Sequence, residues 1–358
     1  MNKKILLSCI FLNIIGLIMI YSSSSIWAKY KFNDQFRYLK YQAVFMIVGL
    51  ILIKIISKLN LDFIKKKSNL LLLIGSILLI LVLIPGIGKV RNGSRSWFGI
   101  GSLGIQPSEF MKITLIIFTA KYLENNKRQM KNIKEGVIPI LALTIIIFGL
   151  IMLEPDLGTG VIITVTIIAM LFISGVKINF FVGIGILGLL GIAVLIIIAP
   201  YRVNRILSFI NPWKDPLGTG FQIIQSLYAI GPGSLFGLGL GNSRQKHFYL
   251  PEPQTDFIFS IICEELGFVG ASIVVILFAI ITFEGFKVAR KSNDLFKKYL
   301  AFGITFSLAF QSSLNLMVVV GLIPVTGVTL PFLSYGGSSL LISMINIGLL
   351  LNISKCNK

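Results

Sequence analysis

Apolar residues run through the chain in long blocks separated by polar stretches. Most blocks hold about 16 to 25 residues, enough for a helix to cross a hydrocarbon core of roughly 30 Å. Ten can be drawn, at about 5–26, 40–56, 69–84, 108–123, 137–153, 158–174, 180–199, 257–286, 299–322 and 338–353. The pattern predicts an all-α, polytopic integral membrane protein: ten transmembrane helices forming one domain over 1–358, with a long outer loop, about 200–257, between helices 7 and 8. That loop far exceeds the usual connection, and Phe221 to Ile230 within it reads as an interfacial helix. The absence of an internal repeat weakens an inverted-repeat transporter reading.

Composition supports this fold class. Of 358 residues, 55% are hydrophobic and 13% charged, where a soluble domain is about a quarter charged; a single soluble domain is excluded. The net charge of +19, from 33 basic and 14 acidic residues, would suggest nucleic acid in a soluble chain. Position argues otherwise. An even number of spans puts both termini on one side, and if that side is the cytoplasm, 20 of the 33 basic residues fall in cytoplasmic stretches. This is the bias that orients membrane helices, so no nucleic-acid partner is expected. Cys9, Cys263 and Cys356 show neither pairing nor metal spacing. Leu6-Leu7-Ser8-Cys9 resembles a lipoprotein cleavage box, but too few apolar residues precede it, and 5–26 is read as an uncleaved first span.

Because charge buried in a bilayer is costly, the acidic residues are informative. Asp62, Glu124, Glu135, Glu284 and Asp294 fall among cytoplasmic lysines, whereas Asp34, Glu109, Glu154, Asp156, Asp215, Glu252, Asp256, Glu264 and Glu265 fall on the outer side or in outer helix halves. Chemistry is therefore expected to face outward. In the first outer loop, 85–107, Arg95 and Trp97 precede Gln106-Pro107-Ser108-Glu109. Ser108 resembles a helix start, with Glu109 favoured at the positive end of the helix dipole. Glu109 and Lys112 share a helical face. They form either an interfacial ion pair or, with Arg95, the lining of a cavity for an anionic substrate.

In the long loop, the glycine-rich stretch Gly231 to Gly241 lacks the ending of a phosphate loop and reads as tight turns. His247, the one histidine, has no partners for a His-based metal site or a triad. Asp256 stands where a Pro-rich loop gives way to helix, as a helix cap or as a reactive carboxylate. Glu264 and Glu265 lie about two turns further in, where one could face the interior or pair with a Lys or Arg. The third loop, Pro324 to Ser339, is uncharged; irregular backbone at membrane depth persists where it is buried in protein or lines a cavity, so it reads as shaping a site or as a structural re-entrant turn. Glu154-Pro155-Asp156 breaks the chain between the fifth and sixth spans.

These blocks together resemble the SEDS proteins (shape, elongation, division and sporulation): Gly93-Ser94-Arg95-Ser96-Trp97, Gln106-Pro107-Ser108-Glu109-Phe110-Met111-Lys112, Glu154-Pro155-Asp156-Leu157-Gly158-Thr159, Pro251-Glu252-Pro253-Gln254-Thr255-Asp256, Glu264-Glu265-Leu266-Gly267 and Leu330-Pro331-Phe332-Leu333-Ser334-Tyr335-Gly336-Gly337. They stand in the family's order over nearly the whole chain, and Gly237 to Lys246 looks more like the FtsW and SpoVE branch than the RodA branch. The resemblance implies a peptidoglycan glycosyltransferase of the bacterial cytoplasmic membrane, with both termini cytoplasmic. It would polymerise lipid II at the outer face, for division or sporulation, beside a class B penicillin-binding protein. It places the family's essential aspartate on Asp256 and substrate-binding groups on Arg95, Glu109, Lys112, Glu252, Thr255, Ser334, Tyr335 and Gly336. Pro253-Gln254 stand where relatives often carry His.

Joining a sugar 4-hydroxyl to an anomeric carbon with loss of undecaprenyl pyrophosphate calls for a general base, expected to be Asp256. It also calls for positive charge at the leaving group, from Arg95 and Lys112 or a divalent cation such as Mg or Mn; Asp256 could instead bind that cation. No organic cofactor is expected. Direct displacement would invert the anomeric centre. Two other functions fit the same features: a lipid II flippase, with Arg95, Glu109 and Lys112 along the substrate path, or a scaffold that activates the penicillin-binding protein.

Overall fold

The computed structural model describes residues 2–91, 93–100, 103–198 and 200–356; Asn92 of the first outer loop and Lys358 of the basic tail lie outside the described residues. Three helices, α1 (Lys3–Phe32), α2 (Arg37–Ile56) and α3 (Leu61–Leu83), lead to three strands, β1 (Lys89–Arg91), β2 (Ser94–Ile100) and β3 (Leu103–Ile105). Then follow α4 (Pro107–Asn125), α5 (Ile138–Leu153), α6 (Leu157–Ile173), α7 (Ile178–Ile198), α8 (Pro200–Ile210), α9 (Phe221–Ile230), α10 (Ile258–Lys291), α11 (Leu295–Val319) and α12 (Gly337–Cys356). Every predicted span meets a helix, and α9 occupies the predicted interfacial segment. The helices outrun the apolar blocks because flanking Lys and Arg are good helix formers.

Among the described residues, eight helices are long and apolar enough to cross a bilayer: α1, α2, α3, α5 with its preceding turn, α7, α10, α11 and α12. Two more stand where spans were expected. Helix α6 is shorter, and α4 carries Glu109, Lys112, Lys121 and Glu124, so neither meets that standard by length and apolarity.

Three features go beyond or differ from the sequence reading. The first outer loop, 85–107, carries strands, which form an antiparallel sheet in the order β1-β2-β3, with Val90 opposite Arg95 and Phe98 opposite Ile105. Gly93, at φ 81°, makes the turn between β1 and β2, and Val90, Trp97 and Phe98 suit a strand. The long loop also contains α8, whose alternating polar and apolar faces suit the membrane interface. Finally, α4 begins at Pro107, with Gln106 as the capping position; proline is favoured at a first helical position, which puts Ser108 inside the first turn.

Helix α12 packs on α2, α10 on both α11 and α1, and α3 on α4. At one end the Asn2 amide donates to Ser354 Oγ (3.1 Å) and Lys355 Nζ to the Ser57 carbonyl (2.8 Å), so both ends of the chain meet there. The sheet, the Glu154–Asp156 break, the 200–257 segment and the 324–336 segment gather at the other end. Ser338 Oγ donates to the Gly104 carbonyl (3.0 Å), Ser94 Oγ to the Glu154 carbonyl, and Ser334 Oγ to the Thr255 carbonyl (2.7 Å).

At Gly267, φ 64° and ψ −161° interrupt α10. Such a break strands backbone groups that a membrane protein must satisfy internally. The glycine-rich stretch does so: Leu238 N–H donates to the Glu264 carbonyl (2.9 Å) and Gly239 N–H to that of Glu265 (3.0 Å). In return, Phe268 N–H donates to the Ser234 carbonyl (2.9 Å) and Val269 N–H to that of Leu235 (3.1 Å). A Cβ at Gly267 would strike the backbone of Gly233, Leu235 and Gly237. Gly267→Ala is therefore expected to cost at least ~1 kcal/mol from its backbone conformation alone, seen as a lower thermal midpoint in detergent. Gly149→Ala, on α5 with open space around its Cβ position, should leave the midpoint unchanged or slightly raised.

Candidate active site

The break in α10 also carries two buried carboxylates, Glu264 and Glu265. Glu265 accepts from Ser22 Oγ on α1 (2.6 Å), the amides of Gly241 (3.0 Å) and Ser243 (3.1 Å), and Lys246 Nζ (3.2 Å). Glu264 accepts from Ser243 Oγ (2.5 Å) and the Arg244 amide (2.8 Å). Hydrogen bonds to a charged acceptor are the strong ones, so the pair clamps the segment 241–246 to the helix. Pairing with a Lys or Arg was one expectation for these acids, and Lys246 fulfils it.

A second polar chain runs through the bundle. Lys112 and Glu109, 3% and 5% exposed, form an ion pair at 2.9 Å on α4. Lys112 also donates to Gln311 Oε1 on α11 (2.6 Å), whose Nε2 donates to the Thr329 carbonyl (3.0 Å). One turn along α11, Asn315 Nδ2 reaches the carbonyls of both Asp256 and Val328 (2.7 Å each). The uncharged third loop and the backbone of Asp256 thus hang on two amides four residues apart.

Asp256 follows this scaffold and precedes α10. The capping position of that helix is Phe257, with no side-chain capping bond, so Asp256 is not the helix cap. It is partly buried, and among the described residues its carboxylate accepts no hydrogen bond. Gly327 of the third loop faces it: a Cβ there would lie 3.8 Å from Asp256 Oδ2. Burial first, then the neighbouring Glu252 and Asp156, pushes its pKa up to about 6, against the pull of Arg205.

Asp156, at the start of α6, accepts from the Thr159 amide (3.0 Å) and Gln106 Nε2 (3.1 Å). Burial raises its pKa, and it feels Glu109 and Lys112 as well as Asp256. It therefore links the Glu109–Lys112 pair to Asp256. Glu154 beside it is buried, has no side-chain hydrogen bond among the described residues, and is pushed up to about 9 by burial and then by Asp156. It is neutral at pH 7.

The remaining predicted site residues divide by place. Arg95 lies on β2 and donates to the Leu83 carbonyl (3.4 Å) at the end of α3; the cation that acts on Asp256 is Arg205 on α8, which also donates to the Val325 carbonyl (3.2 Å). Glu252, at φ 43°, opens a turn in which its carbonyl accepts from the Thr255 amide (3.0 Å) and hydroxyl (2.8 Å). Ser334 is buried and accepts from the Leu330 amide (2.8 Å) while donating to Thr255. The Tyr335 amide donates to the Gln254 carbonyl (2.8 Å), and the Gly336 amide to Gln42 Oε1 on α2 (3.4 Å). Ser334 and Tyr335 brace the Asp256 turn, and Gly336 ties the loop to α2. Sequence reasoning missed Gln311 and Asn315, whose signal was a pair of amides four apart in an apolar helix. It also gave Arg205 no role.

The fold and site define a multi-pass membrane protein with a polar, carboxylate-bearing site held between loops at one end of the bundle. The chain belongs to the FtsW/RodA/SpoVE cell cycle protein family, whose model matches residues 3–358. It is 51% identical over 344 residues to stage V sporulation protein E of Bacillus subtilis (strain 168), covering 96% of this chain and 94% of the relative. It is 40% identical over 350 residues to a probable peptidoglycan glycosyltransferase FtsW of Trichlorobacter lovleyi, covering 98% and 92%. Among solved structures, it matches a chain from a peptidoglycan synthase complex studied for the coordination of polymerization and crosslinking, with TM-score 0.79, 32% identity and coverage of 98% and 97%. It also matches the rod shape determining protein RodA of Thermus thermophilus, with TM-score 0.73, 28% identity and coverage of 98% and 95%.

Removing one member of the buried ion pair leaves a charge unmatched, at a cost of ~3–5 kcal/mol. Lys112→Met is expected to lower the thermal midpoint sharply, and adding Glu109→Gln should restore most of it.

Proposed function

We propose that the chain is a peptidoglycan glycosyltransferase that polymerises lipid II into glycan strands at the outer face of the bacterial cytoplasmic membrane. The observation that carries this reading is the Asp256 carboxylate: fixed through its backbone by Asn315, without a hydrogen-bond partner among the described residues, and beside the uncharged third loop. The relatives' names support the reaction class. The excess of basic residues in the stretches shared with the termini supports placing both termini in the cytoplasm and the site outside. Counting α4 and α6 with the eight apolar helices gives ten crossings.

In this reading Asp256 accepts the proton of the acceptor 4-hydroxyl as its oxygen attacks the anomeric carbon of the donor, and the bond to the pyrophosphate breaks. Both oxygens of Asp156 are engaged in capping α6 and holding Gln106, and Glu154 is neutral. Asp256 is the carboxylate taken as the base, and direct displacement with no covalent intermediate inverts the anomeric centre. Arg205 and Lys112 supply positive charge toward the departing pyrophosphate, with Glu109 and Gln311 orienting Lys112. Among the described residues no three His, Cys, Asp or Glu side chains group to hold a metal ion, so no step runs through the Mg or Mn that the sequence allowed. The partner proposed is a class B penicillin-binding protein, consistent with the matched structure's synthase complex.

Asp256→Asn should lower polymerisation of labelled lipid II at least ~100-fold while thermal stability and lipid II binding persist; near-normal rates in that variant would remove Asp256 as the base. A carboxylate base works ionised, so kcat/KM should be full above about 6 and fall as pH drops through that value. Arg205→Ala withdraws the charge that favours the ionised form and should move this acidic limb to higher pH, whereas Asp156→Asn should move it lower.

A further inference from the structure

Helix α2 sorts its side chains by face. Val44, Ile47, Val48 and Ile51 are apolar and exposed, whereas Gln42 is 1% exposed. Burying an amide among apolar helices is unfavourable unless its ends are matched, and the backbone of the third loop matches both ends of Gln42. Its Nε2 donates to the Ser334 carbonyl (3.2 Å), and its Oε1 accepts from the Gly336 amide (3.4 Å). The two bonds bracket Tyr335. One turn earlier on the same face of α2, Tyr38 meets the Tyr335 ring edge-on, with centroids 4.8 Å apart and planes at 86°. One turn later, the Phe45 ring fills the place of a Cβ at Gly337, so the contact continues to the start of α12.

The bracketed residues carry the constraint to Asp256. Three consecutive carbonyls precede α10 and each accepts a bond: Gln254 from the Tyr335 amide (2.8 Å), Thr255 from Ser334 Oγ (2.7 Å) and Asp256 from Asn315 Nδ2 (2.7 Å). The third is anchored on α11. The first two depend on the stretch that Gln42 grips. Among the described residues the Asp256 carboxylate accepts no hydrogen bond, so its place is set by its backbone and by packing.

We propose that Gln42, assisted by Tyr38, is a positioning residue for the reaction: α2 grips the third loop and thereby sets where the Asp256 carboxylate stands against the acceptor hydroxyl. The inference rests on the reading of Asp256 as the base. A misplacement of about 1 Å in a reacting group costs on the order of 100-fold in rate, which is the scale on which loss of this grip should be felt.

The test uses the purified full-length chain and lipid II. Gln42→Leu should lower kcat about 10- to 100-fold while KM stays within about threefold of wild type. Stability is controlled by Asn352→Leu, because Asn352 Nδ2 bridges the carbonyls of Ile56 (2.8 Å) and Leu59 (2.7 Å) at the opposite end of α2. That variant should lose a similar amount of thermal midpoint and keep wild-type kcat. Tyr38→Ala should also lower kcat, and Tyr38→Phe, which keeps the ring, should restore it. Hydrogen exchange gives a readout independent of strand formation: amides in 252–257 and 330–336 should exchange faster in Gln42→Leu, while those of 241–246, held by Glu264 and Glu265, stay unchanged. Wild-type kcat in Gln42→Leu, a change confined to KM, or an equal loss of kcat in Asn352→Leu overturns the inference. Should Gln42→Leu fail to fold, wild-type kcat in Tyr38→Ala overturns it. If the wild-type chain forms no strands, the polymerase reading falls and exchange in the folded variants decides: faster exchange confined to the two segments keeps the α2 grip, and unchanged exchange removes it.

Discussion

An ammonium group buried among apolar helices must be matched in place, and the Lys112 contacts show how much structure that requirement organises. Glu109 supplies the counter-charge from the same helix, and Gln311 supplies a neutral acceptor from α11. Because an amide has two ends, Gln311 passes the constraint on to the Thr329 carbonyl. Asn315, on the same face of α11, repeats the device for Val328 and Asp256. The third loop can therefore run without charge or regular structure at membrane depth, since its carbonyls have fixed donors.

The broken helix solves the complementary problem. The Asp256 turn has to be held from its other flank, and a continuous α10 would offer no free backbone groups with which to do it. The interruption at Gly267 exposes carbonyls and amides that the glycine-rich segment takes up, and Glu264 and Glu265 bind the following residues through their amides. Asp256 is thus fixed from two sides by groups that are not themselves reactive, which leaves its own carboxylate available. Preorganisation of this kind supports a base of defined orientation.

Much of this was legible in the chain. The apolar blocks located the helices because a bilayer leaves few other solutions, and the Glu109–Lys112 spacing located a shared face. Asp256 stood out as a carboxylate at a loop–helix junction, and the structure removed its reading as a helix cap. The sheet at 89–105 was hidden because its strands are short and glycine-rich, and α8 because its pattern is amphipathic rather than apolar. Gln311 and Asn315 escaped a reading that ranked residues by charge, since their value lies in bridging two elements distant in sequence. Arg95 carried the family resemblance, but the electrostatic neighbour of Asp256 is Arg205, a relation set by how α8 folds back over the third loop.

Two properties of the site distinguish a polymerase from a carrier: a carboxylate without a partner among the described residues, and its position at the end of the bundle away from both termini. The most direct measurement presents lipid II to the purified wild-type chain in a form already accessible from outside, with a penicillin-binding partner whose own transpeptidase is blocked. Glycan strands and released undecaprenyl pyrophosphate are the expected result. Transfer of lipid II across liposome bilayers, with no strand formed under the same conditions, would contradict it.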